Sequence, residues 1–213
     1  MTQIRLVVSI PSRGTAPTAF AVSLASMLSY VAANGPVTRR DAAFDMKLDM
    51  VEGSVIHDNR EKLCRMAVAA GMTHMLFLDD DMVFEPQLLV ALLGRRKAVV
   101  CANYLMKTDP PGEFVATGFD GKRVATTEKS TGLQPVAFCG LGAALIEVRT
   151  FIDIPQPWFQ PRYVAEKGEY LSEDHAFCAL LRDAGQTIHV DHDASKMVSH
   201  VGSKAWTWSE VRG

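Results

Sequence analysis

Four apolar residues, Met75-Leu76-Phe77-Leu78, run straight into Asp79-Asp80-Asp81, and apolar sequence resumes at Met82-Val83-Phe84. A short apolar run bounded by charge fits a strand buried on both faces. Three like charges at the end of such a strand repel one another, and that repulsion has to be offset. A divalent cation is the simplest offset. Carboxylates at the carboxyl end of a strand also stand where open α/β sheets bind ligands. The competing reading is a solvated acidic turn ahead of the helix that follows Pro86.

The flanking sequence supplies the frame. Ile4 to Ile10 is an apolar run after Arg5, broken by Pro11-Ser12-Arg13-Gly14. Thr15 to Asn34 carries Phe20, Leu24, Met27, Leu28 and Val31 at helical spacing and stops at Gly35-Pro36. Phe44 to Val51 alternates apolar and polar residues, as a strand does. Ser54 to Ala70 predicts a helix with Ile56, Leu63, Ala67 and Ala70 inward, ended by Gly71. Gln87 to Leu93 predicts a short helix and Ala98 to Ala102 a fourth strand. This alternation implies a mostly parallel sheet with right-handed crossovers. After Tyr104 the pattern changes. Residues 108–135 predict a hairpin or excursion, Val136 to Val148 strand-like runs around Cys139-Gly140-Leu141-Gly142, and residues 153–170 a proline-rich loop. Ser172 caps a helix to Ala184, and Thr187–Val190 and Val198–Val201 predict two further strands.

Composition bounds the class. Of 213 residues, 48% are hydrophobic and 22% charged, which argues against extended disorder. A net charge of −2 gives no global attraction to nucleic acid or anionic membrane. No apolar run approaches the roughly 20 residues of a membrane span. Met1-Thr2-Gln3-Ile4-Arg5 lacks the layout of a signal peptide, so the expectation is a soluble, cytoplasmic protein. Cys64, Cys101, Cys139 and Cys178 form no Cys-x-x-Cys pair, and each is expected to be a reduced core residue.

Four segments stand in an order that resembles nucleotide-sugar glycosyltransferases of the GT-A fold, particularly small family-two-like enzymes of phages and bacteria. They are Pro11-Ser12-Arg13 after the first strand, Asp79-Asp80-Asp81 as the Asp-x-Asp motif, Ser172-Glu173-Asp174 opening a helix, and a late His200-Val201-Gly202. The resemblance implies one domain over 1–213, with a nucleotide-binding half (1–104) and an acceptor and metal half (105–213). It implies that Asp81 binds the metal, that His200 completes the metal shell, and that Asp79 faces the ribose and can reach the metal through water. It also implies that Asp174 is the acceptor-side base, with Glu173 beside it. Asp80, Pro11, Ser12 and Arg13 fall on the nucleotide side. Asp58-Asn59-Arg60 resembles the Arg-Asn segment that faces the nucleotide, with Asn59 and Arg60 in reversed order.

The chemistry agrees with that resemblance. A diphosphate gains charge as the glycosidic bond breaks, and a metal bridging its oxygens stabilises that charge. A carboxylate and imidazole donor set leans towards Mn²⁺, with Mg²⁺ open. Acidic residues in a first helical turn are stabilised by the dipole, which is the bland role of Glu173 and Asp174; the same dipole keeps a base ionised. In-line attack would invert the anomeric centre, though some GT-A enzymes retain it. Lys204 is placed to pair with the diphosphate. The plainer readings are a satisfied strand histidine for His200, a solvated helix cation for Arg60, and a core cover for Trp206 and Trp208, which otherwise stack on a sugar or base.

The donor is expected to be a nucleoside-diphosphate sugar, UDP-linked foremost. The acceptor is expected to be a hydroxymethylated base in phage DNA or another polyanion, with a glycan hydroxyl as the alternative. Arg95-Arg96-Lys97, Arg39-Arg40 and the 105–135 excursion are the grounds for a polyanionic acceptor, against the net charge of −2. A nucleotidyltransferase would carry a Gly-rich basic loop after the first strand, and a non-catalytic nucleotide-sugar-binding module would not need Asp174. The cluster His189, Asp191, His192 and Asp193 is expected to be a strand-end loop, because alternate strand residues point apart. Gly140-Leu141-Gly142 lacks the remaining spacing of a dinucleotide fingerprint.

Overall fold

Val7, on one face of the first strand, packs with Met75 and Phe77, whereas Leu6, Val8 and Ile10, on the other, pack with Leu76 and Leu78. A sheet that is apolar on both faces has to be covered on both, and the helices do this. The computed structural model describes residues 3–35, 44–108, 112–166, 168–202 and 205–207. Its elements begin with β1 (Ile4–Ser12), α1 (Thr18–Asn34), β2 (Phe44–Glu52), α2 (Ile56–Ala69), β3 (His74–Leu78) and β4 (Met82–Phe84). They continue with α3 (Leu88–Gly94), β5 (Val99–Cys101), β6 (Leu133–Val136), β7 (Ala143–Glu147), α4 (Arg149–Ile152) and the strands β8 (Arg162–Val164) and β9 (Glu169–Leu171). The last are α5 (Glu173–Asp183), β10 (Ile188–Asp191), α6 (His192–Ser195), β11 (Val198–Val201) and β12 (Ala205–Thr207).

A seven-stranded sheet runs β2-β1-β3-β7-β5-β10-β6. β1 pairs in parallel with β2 and β3, and β5 with β10. Helices α2, α4 and α5 supply Leu63, Phe151 and Phe177 to one core, and α1, α3 and α6 supply Phe20, Leu88 and Ala194 to the other. This is the expected α/β class, an open and mostly parallel sheet flanked by helices. No helix among the described residues is long and apolar enough to cross a membrane. All four cysteines are free and buried.

Four features depart from the sequence expectations. First, β7 lies between β3 and β5 and is antiparallel to both. It is buried over Ala143–Ile146, and a strand covered on both faces carries no periodicity that tells its direction. Second, β4 follows the acidic triplet directly and pairs with β11 in a separate three-stranded sheet, where His200 stands opposite Met82. Third, the region 153–170 holds the β8–β9 hairpin rather than loop alone. The preceding turn is held by Glu61 of α2, whose Oε2 accepts from the backbone N–H groups of Trp158 (3.0 Å) and Phe159 (3.3 Å). Fourth, His192 and Asp193 belong to helix α6, because Asp191 caps it by accepting from Asp193 N and Ala194 N.

The basic cluster is also reassigned in part. Arg95 donates through Nε and Nη2 to Asp191 (2.7 and 2.9 Å) and through Nη2 to Asp193 (2.6 Å). It therefore braces the end of α3 against α6 instead of offering a free charge to a polyanion. Arg39 and Arg40 lie outside the described residues. Arg95→Ala leaves the fully buried Asp191 carboxylate with backbone donors alone. It is expected to lower stability by roughly 3 kcal/mol, the lower end for breaking a buried ion pair. Urea denaturation measures this; a loss below ~1 kcal/mol, the surface-pair range, would contradict the bracing role.

Candidate active site

The site is built where β1, β3 and the start of α5 end together. Pro11, Arg13, Ile56, Arg60 and the five carboxylates of Asp79, Asp80, Asp81, Glu173 and Asp174 line a cleft of about 230 Å³. Ser12 and Asn59 are not among its lining residues. Ser12 Oγ donates to Asp80 Oδ2 (2.6 Å) and so ties the first strand to the acidic turn. Asn59 is buried and donates to the carbonyls of Ser12 (3.0 Å) and Gly53 (2.9 Å). It is a strut between strand ends, its amide donating to backbone. Lys204 and Trp208 lie outside the described residues, while the backbone of Trp206 pairs with that of His200.

Arg60 is the centre of the cluster, not a solvated helix cation. Its side chain is 3% exposed, with Nη2 2.9 Å from Asp79 Oδ1 and Nε 3.6 Å from Asp174 Oδ1 and 3.9 Å from Glu173 Oε1. The guanidinium also stands over the Phe77 ring at 5.4 Å. Burial alone would favour the neutral form of Arg60, but Asp79, Asp174 and Glu173 outweigh it and hold the pKa above its ordinary value.

The carboxylates separate into different states. Burial raises Asp79, with Arg60 opposing and Asp81 adding to the rise. Burial pushes Asp174 up to about 7; Arg60 opposes, and the neighbouring charges of Glu173 and Asp79 reinforce the shift. Asp174 Oδ2 accepts from Leu141 N at 3.3 Å, whereas its Oδ1 is buried and accepts no hydrogen bond among the described residues. Asp81 goes the other way. Burial acts upward, but hydrogen bonds from His200 and Lys107 hold it down at about 2. Environments that push carboxylates apart in this way are typical of acid–base sites.

His200 reaches Asp81 through the β4–β11 pairing, locked by the hydrogen bond from Val201 N to Asp81 O (2.8 Å). Its Nδ1 lies 3.0 Å from the carbonyl of Leu105. A carbonyl only accepts, so Nδ1 carries the proton and Nε2, 3.4 Å from Asp81 Oδ2, faces the site. Tyr104 packs edge-to-face on the His200 ring at 5.2 Å and accepts from Gly142 N at 3.1 Å. A Cβ on Gly140 or Gly142 would come within 2.3 or 2.8 Å of the Tyr104 hydroxyl. The Gly140-Leu141-Gly142 segment is thus shaped by the packing of Tyr104.

The residues present fit a divalent cation. Asp81 Oδ1 is buried and without a hydrogen-bond partner among the described residues. Its other oxygen, Oδ2, lies 3.4 Å from Nε2 of the His200 imidazole. A hard oxygen beside an imidazole is the donor chemistry of Mn²⁺ or Mg²⁺ sites. Among the described residues no group of three or more His, Cys, Asp or Glu is already gathered to hold a metal. Sequence reasoning passed over Lys107 and Tyr104. Their signal is position: both follow β5 at the ligand-binding end of the sheet.

No protein-family model matches the chain, and no curated protein does. Solved structures do. The crystal structure of A197 from STIV is similar at a TM-score of 0.57 and 20% identity, covering 93% of this chain and 86% of that one. The catalytic domain of Drosophila beta1,4-galactosyltransferase 7, in complex with xylobiose, is similar at a TM-score of 0.52 and 12% identity, covering 93% and 71%. A mutant of that enzyme, in complex with manganese, UDP-Gal and xylobiose, gives 0.51 and 13% over the same shares. At these identities the likeness is one of fold: this chain has a glycosyltransferase-like architecture of GT-A type.

The Asp174 shift has a thermodynamic consequence. Its folded pKa of about 7 lies above the unfolded value of about 3.9. Its contribution to stability is therefore full below about pH 4 and is lost as pH rises through about 7. Asn does not titrate, so the stability of Asp174→Asn relative to wild type should rise across that window and then level off. Denaturant melts at a series of pH values measure it, and a difference that stays flat across the window would contradict the raised pKa.

Proposed function

We propose that the protein is a glycosyltransferase that moves a sugar from a nucleoside-diphosphate sugar, UDP-linked foremost, to an acceptor hydroxyl. The observation that carries the reading is the Arg60-centred cleft, which faces Asp79 and Asp81 at the end of β3 towards Glu173 and Asp174 at the start of α5. The fold it shares with a galactosyltransferase solved with manganese, UDP-Gal and xylobiose supports the same class of donor. The nucleotide lies on the strand ends of residues 1–104, and Glu173, Asp174 and His200 of residues 105–213 close the acceptor and metal side.

Asp174 is the base. It is ionised above about pH 7 and has one oxygen without a hydrogen-bond partner among the described residues. A base with a pKa near the working pH combines a usable ionised fraction with real proton affinity. The acceptor oxygen forms its bond to the anomeric carbon as the bond to the diphosphate oxygen breaks, and the hydroxyl proton passes to Asp174. In-line geometry makes the reaction inverting. Glu173 raises the Asp174 pKa, and Asp79 faces the ribose. Asp81 and His200 would hold the divalent cation, whose charge stabilises the departing diphosphate. Five carboxylates in the cleft, and the loss of Arg95 to Asp191 and Asp193, favour an uncharged acceptor over DNA.

The test is transfer from labelled nucleotide sugars to neutral oligosaccharides and to hydroxymethylated DNA, with wild type and Asp174→Asn. Wild type is expected to glycosylate a neutral acceptor, with kcat/KM rising with pH through about 7. Asp174→Asn is expected to turn over ~10²-fold or more slowly at unchanged donor affinity. Donor binding without transfer to any acceptor would identify a binding module instead, and transfer to DNA alone would overturn the acceptor assignment.

A further inference from the structure

Asp81 is contacted by two basic groups. One is His200, and the other is the Lys107 ammonium, which forms an ion pair with the same oxygen, Oδ2. Lys107 follows a segment whose backbone is held at Leu105 and Met106. The Leu105 carbonyl accepts from His200, and Met106 N donates to Glu113 O (2.9 Å). The Lys107 and Asp81 side chains are each 33% exposed, so the lysine head has room to swing while its backbone stays in place. A lysine is a compact charge on a flexible stem, suited to such an exchange of partners.

The charges of the cleft say where it would go. Among its lining residues, five carboxylates stand against two cations, Arg13 and Arg60. Arg60 is buried and committed to Asp79, Glu173 and Asp174. A diphosphate that enters this cleft meets an excess of negative charge, and Lys107 is the nearby cation whose present partner is the oxygen a metal would take.

We propose that Lys107 is an exchangeable counter-ion: it neutralises Asp81 in the metal-free protein, releases that oxygen when a divalent cation binds, and then pairs with the diphosphate of the donor. This rests on the nucleotide-sugar reading of the site. It makes Lys107 a competitor of the metal and an ally of the nucleotide, so removing it changes the two affinities in opposite directions. A merely structural role would move both the same way.

The test is titration calorimetry on wild type, Lys107→Met and Asp81→Asn, first with Mn²⁺ alone and then with UDP at saturating Mn²⁺. Circular dichroism verifies that each variant is folded. Lys107→Met is expected to bind Mn²⁺ roughly fivefold more tightly, the worth of a well-placed surface ion pair, and UDP weaker by a similar factor. Asp81→Asn is expected to lose Mn²⁺ binding. Equal Mn²⁺ affinity in wild type and Lys107→Met overturns the exchange alone and leaves the nucleotide-sugar reading standing. Tighter Mn²⁺ with unchanged UDP overturns the transfer to the diphosphate. Failure of both proteins to bind Mn²⁺ overturns the metal role of Asp81, and the exchange with it.

Discussion

One guanidinium organises this site. Arg60 is almost completely buried, and placing a charge in that environment costs several kcal/mol unless it is paired. Its partners come from two other elements: Asp79 from the end of β3, and Glu173 and Asp174 from the first turn of α5. The pairing therefore fixes three pieces of chain at once. It also lets carboxylates crowd into one small cleft, because each is partly balanced by the same cation. Without Arg60, Asp79 and Asp174, both already raised by burial, would rise further.

The rest of the structure serves that cluster by bringing distant segments to the same strand ends. Asn59, one residue before Arg60, clamps the ends of β1 and β2 together through the Ser12 and Gly53 carbonyls. β4 turns the chain back just after the acidic triplet, and its pairing with β11 delivers His200 to Asp81. Tyr104 fills the space between His200 and the glycines Gly140 and Gly142, the second of which lies beside Asp79. These contacts join the Asp81–His200 pair and the Arg60 cluster to a single packed wall. Rearrangement at Asp81 is thereby left to side chains, with Lys107 the most exposed of those in contact with it.

The sequence carried much of this. Buried parallel strands and amphipathic helices leave local patterns, and the elements from β1 to β5 other than β4, together with the Ser172-capped helix α5, were legible from them. What was not legible depends on long-range pairing. β7 enters the sheet antiparallel from 42 positions beyond β5 (Cys101 to Ala143), and nothing in Ala143–Glu147 tells which strands it will join. β4 is three residues long, too short for any period to register. Arg60 was open to the plain reading of a solvated cation because its helix buries Asn59, Arg60 and Glu61 beside Leu63 and Cys64, so that polarity and exposure part company. Lys107 belongs to a stretch without regular structure, and only the three-dimensional contact with Asp81 singles it out.

The central claim is that this cleft holds a nucleoside-diphosphate sugar through a cation at Asp81. A thermal-unfolding panel of nucleotide sugars, each with and without Mn²⁺, tests it most directly, with Asp81→Asn run in parallel. A ligand that binds only the native state at a hundred times its Kd adds about 2.7 kcal/mol of stability. For a chain of this length that corresponds to a rise in midpoint of about 5–10 °C. The account predicts such a rise for at least one nucleotide sugar in wild type, dependent on Mn²⁺ and absent from Asp81→Asn. No shift with any nucleotide sugar, or an equal shift in Asp81→Asn, would contradict it.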